Sequence, residues 1–142
     1  MFRFRLEKVL RHRERVVDRE ARKLQGILSA ALLLERENAR IDAECEAASR
    51  REGGCGFDLV RMQRLNDYTG ERRRLIGRNA ERIRRLRAEA EQQRQILLAA
   101  QRDKKVLEQL RERQLAAWQE QDRREDRKRM DEVATLRYGT EP

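Results

Sequence analysis

Breakers, rings and sulfur are scarce in this sequence. Proline occurs once in 142 residues, at Pro142, aromatic residues make up 4%, and there are two cysteines and one histidine. Few large apolar side chains exclude a thick globular core, and the lack of proline leaves little to interrupt a helix. Cys45 and Cys55 fit no metal-ligand spacing, His12 stands alone, and two cysteines cannot make a disulfide scaffold. Both are read as reduced cytosolic thiols. The longest apolar run, Ile27 to Leu34, is broken by Ser29, far short of the roughly 18 residues that span a bilayer. The opening "MFRFRLEKVLRHRERVVDREARKL" has no apolar h-region and is not read as a secretory signal.

What the chain has in abundance is charge. Asp, Glu, Lys and Arg account for 43% of residues, with a net charge of +9. Residues 1–20 carry about +3, residues 21–70 about zero, residues 71–105 about +7 and residues 106–142 about −1. High charge with few aromatics also describes disorder, so periodicity has to decide. Stepping by four and three from Leu6 meets Leu10, Arg13, Val17, Glu20, Leu24, Ile27, Ala31, Leu34, Asn38, Ile41, Cys45 and Ala48, and ten of these thirteen are apolar or cysteine. Disorder does not produce such a stripe; a coiled-coil seam does. Asn38 falls where a buried amide fixes register.

The stripe stops at "RREGGCGFD", where Gly53, Gly54 and Gly56 free the chain to turn. Phe57 is expected to cover the bend and Asp58 to cap the next helix. A weaker seam follows through Met62, Leu65, Ile76, Ile83, Leu86, Ala90, Leu97, Ala100 and Leu107, interrupted by Thr69, Arg72, Asn79, Gln93 and Lys104. Gly70 and Gly77 each cost about 1 kcal/mol inside a helix. The reading is an all-α, antiparallel two-helix coiled-coil hairpin forming one domain over 1–142. Helix 1 covers about 3–51 and the turn about 52–57. A short helix over about 58–68 then leads, past a soft spot at Gly70, into a long helix over about 71–137. If residue 52 faces 58, then 38 faces 72 and 6 faces 104. Beyond that, roughly 30 residues of the second helix overhang, with Val106, Leu107, Leu110, Leu115 and Trp118 in need of cover.

No chemistry-bearing constellation emerges. "GGCG" lacks the lysine and the strand–helix context of a phosphate loop, and no nucleophile–base pair or enclosing pocket is encoded. The carboxylates follow helical charge patterning, as Glu108 and Glu112 do around Arg111. No catalytic, cofactor-binding or metal-ligating residue is assigned, and no enzyme is expected. "ERRRLIGRNAERIRRLR" is arginine-dense enough for phosphates. Against that, Glu71, Glu81, Glu89 and Glu91 are interspersed and no aromatic platform accompanies it. The basic stretch is read as a docking surface for an acidic protein partner.

The opening "FRFRLEKVLRHRE", then "DKKVLEQLRER" and "RKRMDEVATLR" in order along a chain of this length, resemble the FliJ family. That family comprises small coiled-coil components of the flagellar type III export apparatus. The resemblance covers the whole chain and implies a fold like the gamma stalk of rotary ATP synthases. It also implies three partners: the hexameric export ATPase, whose ring assembly and activity it promotes, the export gate membrane protein, and export chaperones. It implies no cofactor, no nucleic acid, no transmembrane segment, and a cytoplasmic location peripheral to the inner membrane at the flagellar base. Residues implied at the ATPase are Phe2, Phe4, Leu6, Val9, Leu10, Leu110, Trp118 and Met130. Those implied at the export gate are Tyr68, Arg72, Leu75 and Asn79, with Arg72 standing where the family has an apolar residue. A virulence-type secretion stalk and a basic coiled-coil nucleic-acid-binding module stay open as alternatives.

Overall fold

A computed structural model describes residues 1–54, 56 and 58–139. The described residues are all-helical, with two long helices packed against each other: α1, Glu7–Gly53, and α2, Leu59–Tyr138. Cys55 and Phe57 lie outside the described residues. The chain divides into two compact units. One is Met1–Asp18 with the chain from Leu98 onward; the other is Arg19–Leu97.

The seam is where four-three stepping puts it. All thirteen residues from Leu6 to Ala48 are buried or half-buried, with Leu10, Ala31, Ile41 and Cys45 among the most enclosed. On α2 the polar interruptions are also in the seam, and Thr69, Asn79 and Gln93 are buried. They tolerate burial because each has a partner. Thr69 Oγ1 donates to the Leu65 carbonyl at 2.9 Å, and Asn79 Nδ2 donates to Asn38 Oδ1 at 3.0 Å. Gln93 Nε2 donates to the Glu20 carbonyl at 3.2 Å. Met62 is the exception, more than half exposed.

Within Arg19–Leu97 the helices run antiparallel, as Glu20 with Gln93, Asn38 with Asn79 and Glu44 with Arg72 show. Asn38 therefore meets Asn79 instead of Arg72, seven positions farther along α2 than symmetric folding about the glycines gives. Two polar layers set this register, because an amide or carboxylate in an apolar seam must meet its counterpart. In the other unit the pairs are Phe2 with Trp118, Glu7 with Arg111 and Arg13 with Asp103. Pairing thus reaches Trp118 instead of ending near residue 104.

Two local expectations change. α2 is unbroken through Gly70 and Gly77, so there is no separate short helix over 58–68. Neither glycine has positive φ, and a helix this long carries two glycines when its seam is packed on both sides of them. α1 begins at Glu7, not near residue 3; the Glu7 N–H donates to the Phe4 carbonyl at 3.2 Å, which frees residues 1–4 to fold across. At the turn, Asp58 caps α2 as expected, its Oδ1 accepting from the Val60 N–H at 3.0 Å. No described glycine there uses positive φ.

Candidate functional site

Two stretches hold the residues singled out from sequence, one in each unit. In the unit containing the first eighteen residues, the non-helical opening lays Phe2 against Trp118. Their ring centroids are 6.2 Å apart and tilted by 51°, within the range of favourable edge-to-face contacts. Phe4 and Leu10 are buried, and Leu6 and Leu110 are half-buried, so these four are seam packing. Val9, Trp118 and Met130 present surface, at 42%, 38% and 70% exposure.

Past Trp118 the side chains of 121–139 are all exposed. Helix persists there because charges satisfy one another along the surface. Arg124 pairs with Glu120 at 3.0 Å and Gln121 Nε2 donates to Glu125 at 3.3 Å, each pair adding about 0.2–0.5 kcal/mol. Val133, Leu136 and Tyr138 join Met130 as exposed apolar residues. Sequence reasoning kept only Met130; the signal for Val133 and Leu136 was their spacing of three and six residues from it, while Tyr138 lies eight residues on.

In the unit Arg19–Leu97, Tyr68 lies at the surface with the Arg72 guanidinium carbon 5.2 Å from its ring centre, a cation–π arrangement. Arg72 also pairs with Glu44 at 3.5 Å. Leu75 is half-buried, and Asn79 is 5% exposed and committed to Asn38. The four gate candidates therefore divide, Tyr68 and Arg72 outward, Leu75 and Asn79 inward.

The Glu20 carboxyl is displaced from its ordinary titration. The Gln93 amide, which donates to Glu20, holds that carboxyl below the usual carboxylate range; burial pushes it up, and Lys23 and Arg19 pull it down again. Lys23 Nζ reaches Glu20 Oε1 at 3.3 Å. This is a structural polar layer, with no nucleophile beside it. Among the described residues no cluster of three or more His, Cys, Asp or Glu is arranged for a metal. Among the described residues no helix is long and apolar enough to cross a membrane, and Cys45 is free and buried.

The described residues form a long helix pair with exposed apolar residues on a solvated helix end. The family model described as Flagellar FliJ protein matches residues 1–142. The chain belongs to the FliJ family. No curated protein and no solved structure matches it. Membership makes the chain a component of the flagellar-export type, in a family of structural coiled-coil proteins and not of enzymes.

Proposed function

We propose that this FliJ-family chain is the stalk of a flagellar type III export apparatus. It binds the hexameric export ATPase through the unit holding both ends of the described chain, promotes ring assembly and activity, and connects the ring to the export gate and to export chaperones. One observation carries the reading. Past the Phe2–Trp118 contact, α2 continues as an exposed helix bearing Met130, Val133, Leu136 and Tyr138. Bulky apolar residues on a helix otherwise covered in charge favour a protein partner that covers them. Tyr68 and Arg72 are the accessible part of the proposed gate contact. The chain works in the cytoplasm, at the inner face of the membrane beneath the flagellum.

The mechanism is differential binding. A stalk that prefers an assembled ring over free subunits shifts assembly toward the ring by mass action. Added stalk then raises ATPase turnover steeply at low ATPase concentration and little once rings are saturated. Turnover measured across an ATPase dilution series with and without the chain tests this. An equal response at every dilution rules the mechanism out.

A further inference from the structure

A second apolar surface lies elsewhere, in the unit Arg19–Leu97, and neither the ATPase-facing end nor the gate contact uses it. Ala21, Leu24, Leu28 and Leu32 of α1 and Leu97 of α2 line a trough of about 320 Å³, together with Gln25 and Ser29. Leu28 and Leu32 are 41% and 46% exposed, although the α1 seam itself is already filled by α2. Leu24 and Leu97 also belong to the seam, whereas Ala21, Leu28 and Leu32 form an apolar stripe beside it at steps of seven and four, the spacing at which a helix can receive another helix alongside. Twelve residues from Ala21 to Leu32 make a track of about 18 Å, or three turns.

Charge on either side identifies what fits. The α1 row next to the stripe is Arg22, Ser29 and Arg36, again at seven-residue steps. Neither arginine has a carboxylate partner among the described residues. On α2, Arg94 lies one turn from Leu97 and pairs with Glu91 at 3.3 Å. Arg87 lies seven residues before Arg94 and pairs with Glu35 of α1, the next member of the Ala21–Leu28 row. An apolar track is thus bordered on α1 by Arg22 and Arg36 and on α2 by Arg94, which is shared with Glu91, with the Glu35–Arg87 bridge at one end. A second copy of the chain would bring these same arginines against each other, which disfavours self-association.

The geometry points to a docking site for a third helix: an amphipathic protein helix of three or more turns, with leucine-like residues at its a and d positions and Glu or Asp on both flanks. Its apolar face covers Leu28, Leu32 and Leu97. Its acidic flanks meet Arg22 and Arg36 on one side and Arg94 on the other, the bidentate pairing at which arginine excels. The site does not depend on the ATPase reading, since none of its residues belongs to the proposed ATPase-binding set.

The test uses the full chain and two synthetic three-heptad peptides with leucine at a and d. One carries Glu at e and g, the other Lys, and binding is followed by fluorescence anisotropy. The Glu peptide is expected to bind saturably and the Lys peptide not. Leu28→Asp with Leu32→Asp should weaken the Glu peptide by about tenfold or more. Arg22→Glu with Arg36→Glu should weaken it and strengthen the Lys peptide, a reversal that lost folding cannot mimic. All four positions are exposed, so circular dichroism should be unchanged. Absence of saturable Glu-peptide binding, equal binding of both peptides, or sedimentation showing a dimer that Leu28→Asp dissociates would each overturn the proposal. Because the assay contains no ATPase, its failure leaves the stalk reading standing, and the reverse holds.

Discussion

Asn79 donates its side-chain amide to the Asn38 carbonyl oxygen at 3.0 Å, across 41 positions of sequence. Asn38 in turn donates to the Ile76 carbonyl at 3.3 Å. The two amides satisfy each other only in this register, whereas the apolar layers on either side tolerate a slip of one heptad.

Replacing one amide and replacing both should therefore have opposite effects. Asn79→Leu leaves the Asn38 carbonyl oxygen without its donor and should destabilise the fold by about 1–3 kcal/mol. Asn38→Leu with Asn79→Leu should raise the melting temperature above that of the natural chain while relaxing register. Spin labels on exposed positions of α1 and α2 read the register directly. A double variant that keeps one sharp distance distribution would show that the amide layer does not select it.

Glu20 and Gln93 make the companion layer, and its behaviour depends on pH. The folded-state pKa of Glu20 is lowered, chiefly by the Gln93 hydrogen bond. The carboxylate is then favoured by folding, so its contribution is full above the unfolded value near 4.5 and is lost as pH falls below it. Denaturation at pH 7 and at pH 3 should show the natural chain losing stability on acidification. Glu20→Gln should lose less over the same interval, since its amide does not titrate. Parallel losses in both proteins would assign the acid sensitivity to other carboxylates.

Much of this was legible in the sequence, and the misses share a cause. The position of every seam residue from Leu6 to Ala48 follows from a 3.5-residue repeat, which is a local property of α1. Counting Glu20, Thr69, Asn79 and Gln93 as gaps in the stripe was the error, because each is buried with a partner contributed by fold or local backbone. Pairing was assigned by symmetric folding about the glycines, yet register is a property of two helices together. Asn38 opposite Asn79 follows from matching polar layers, which no single periodic stripe contains. An exposed end of α2 follows from the unequal lengths of the two helices, whereas the burial of Phe4 depends on the non-helical course of residues 1–4.

Gly70 and Gly77 give a test of whether α2 is kept loose for a purpose. A Cβ built at either position meets nothing within 4 Å, and neither has positive φ. Gly70→Ala and Gly77→Ala should each stabilise by about 0.5–1 kcal/mol, through the unfolded chain's lost freedom. Thermal melts of the single and double variants check this, and a lower melting temperature would contradict it. If the double variant is more stable but less active in the ATPase dilution assay, local flexibility at these glycines belongs to the working cycle.

The end of α2 separates the proposed ATPase contact from seam packing. Leu10 is 2% exposed, so Leu10→Ala should lower stability by about 2 kcal/mol or more, and any loss of ATPase stimulation would accompany unfolding. Met130 is 70% exposed and Leu136 71%, so Met130→Asp with Leu136→Asp should leave helicity unchanged and stability within about 0.5 kcal/mol of the natural chain. The same double variant should lose ATPase stimulation, because an aspartate cannot enter an apolar interface without its hydration. Tyr68→Ala supplies the contrast. It should retain ATPase stimulation and lose affinity for the export gate, with the Arg72 cation–π contact removed. Full stimulation by the Met130→Asp, Leu136→Asp protein would move the ATPase contact off the exposed end of α2 and back toward Phe2, Val9 and Trp118.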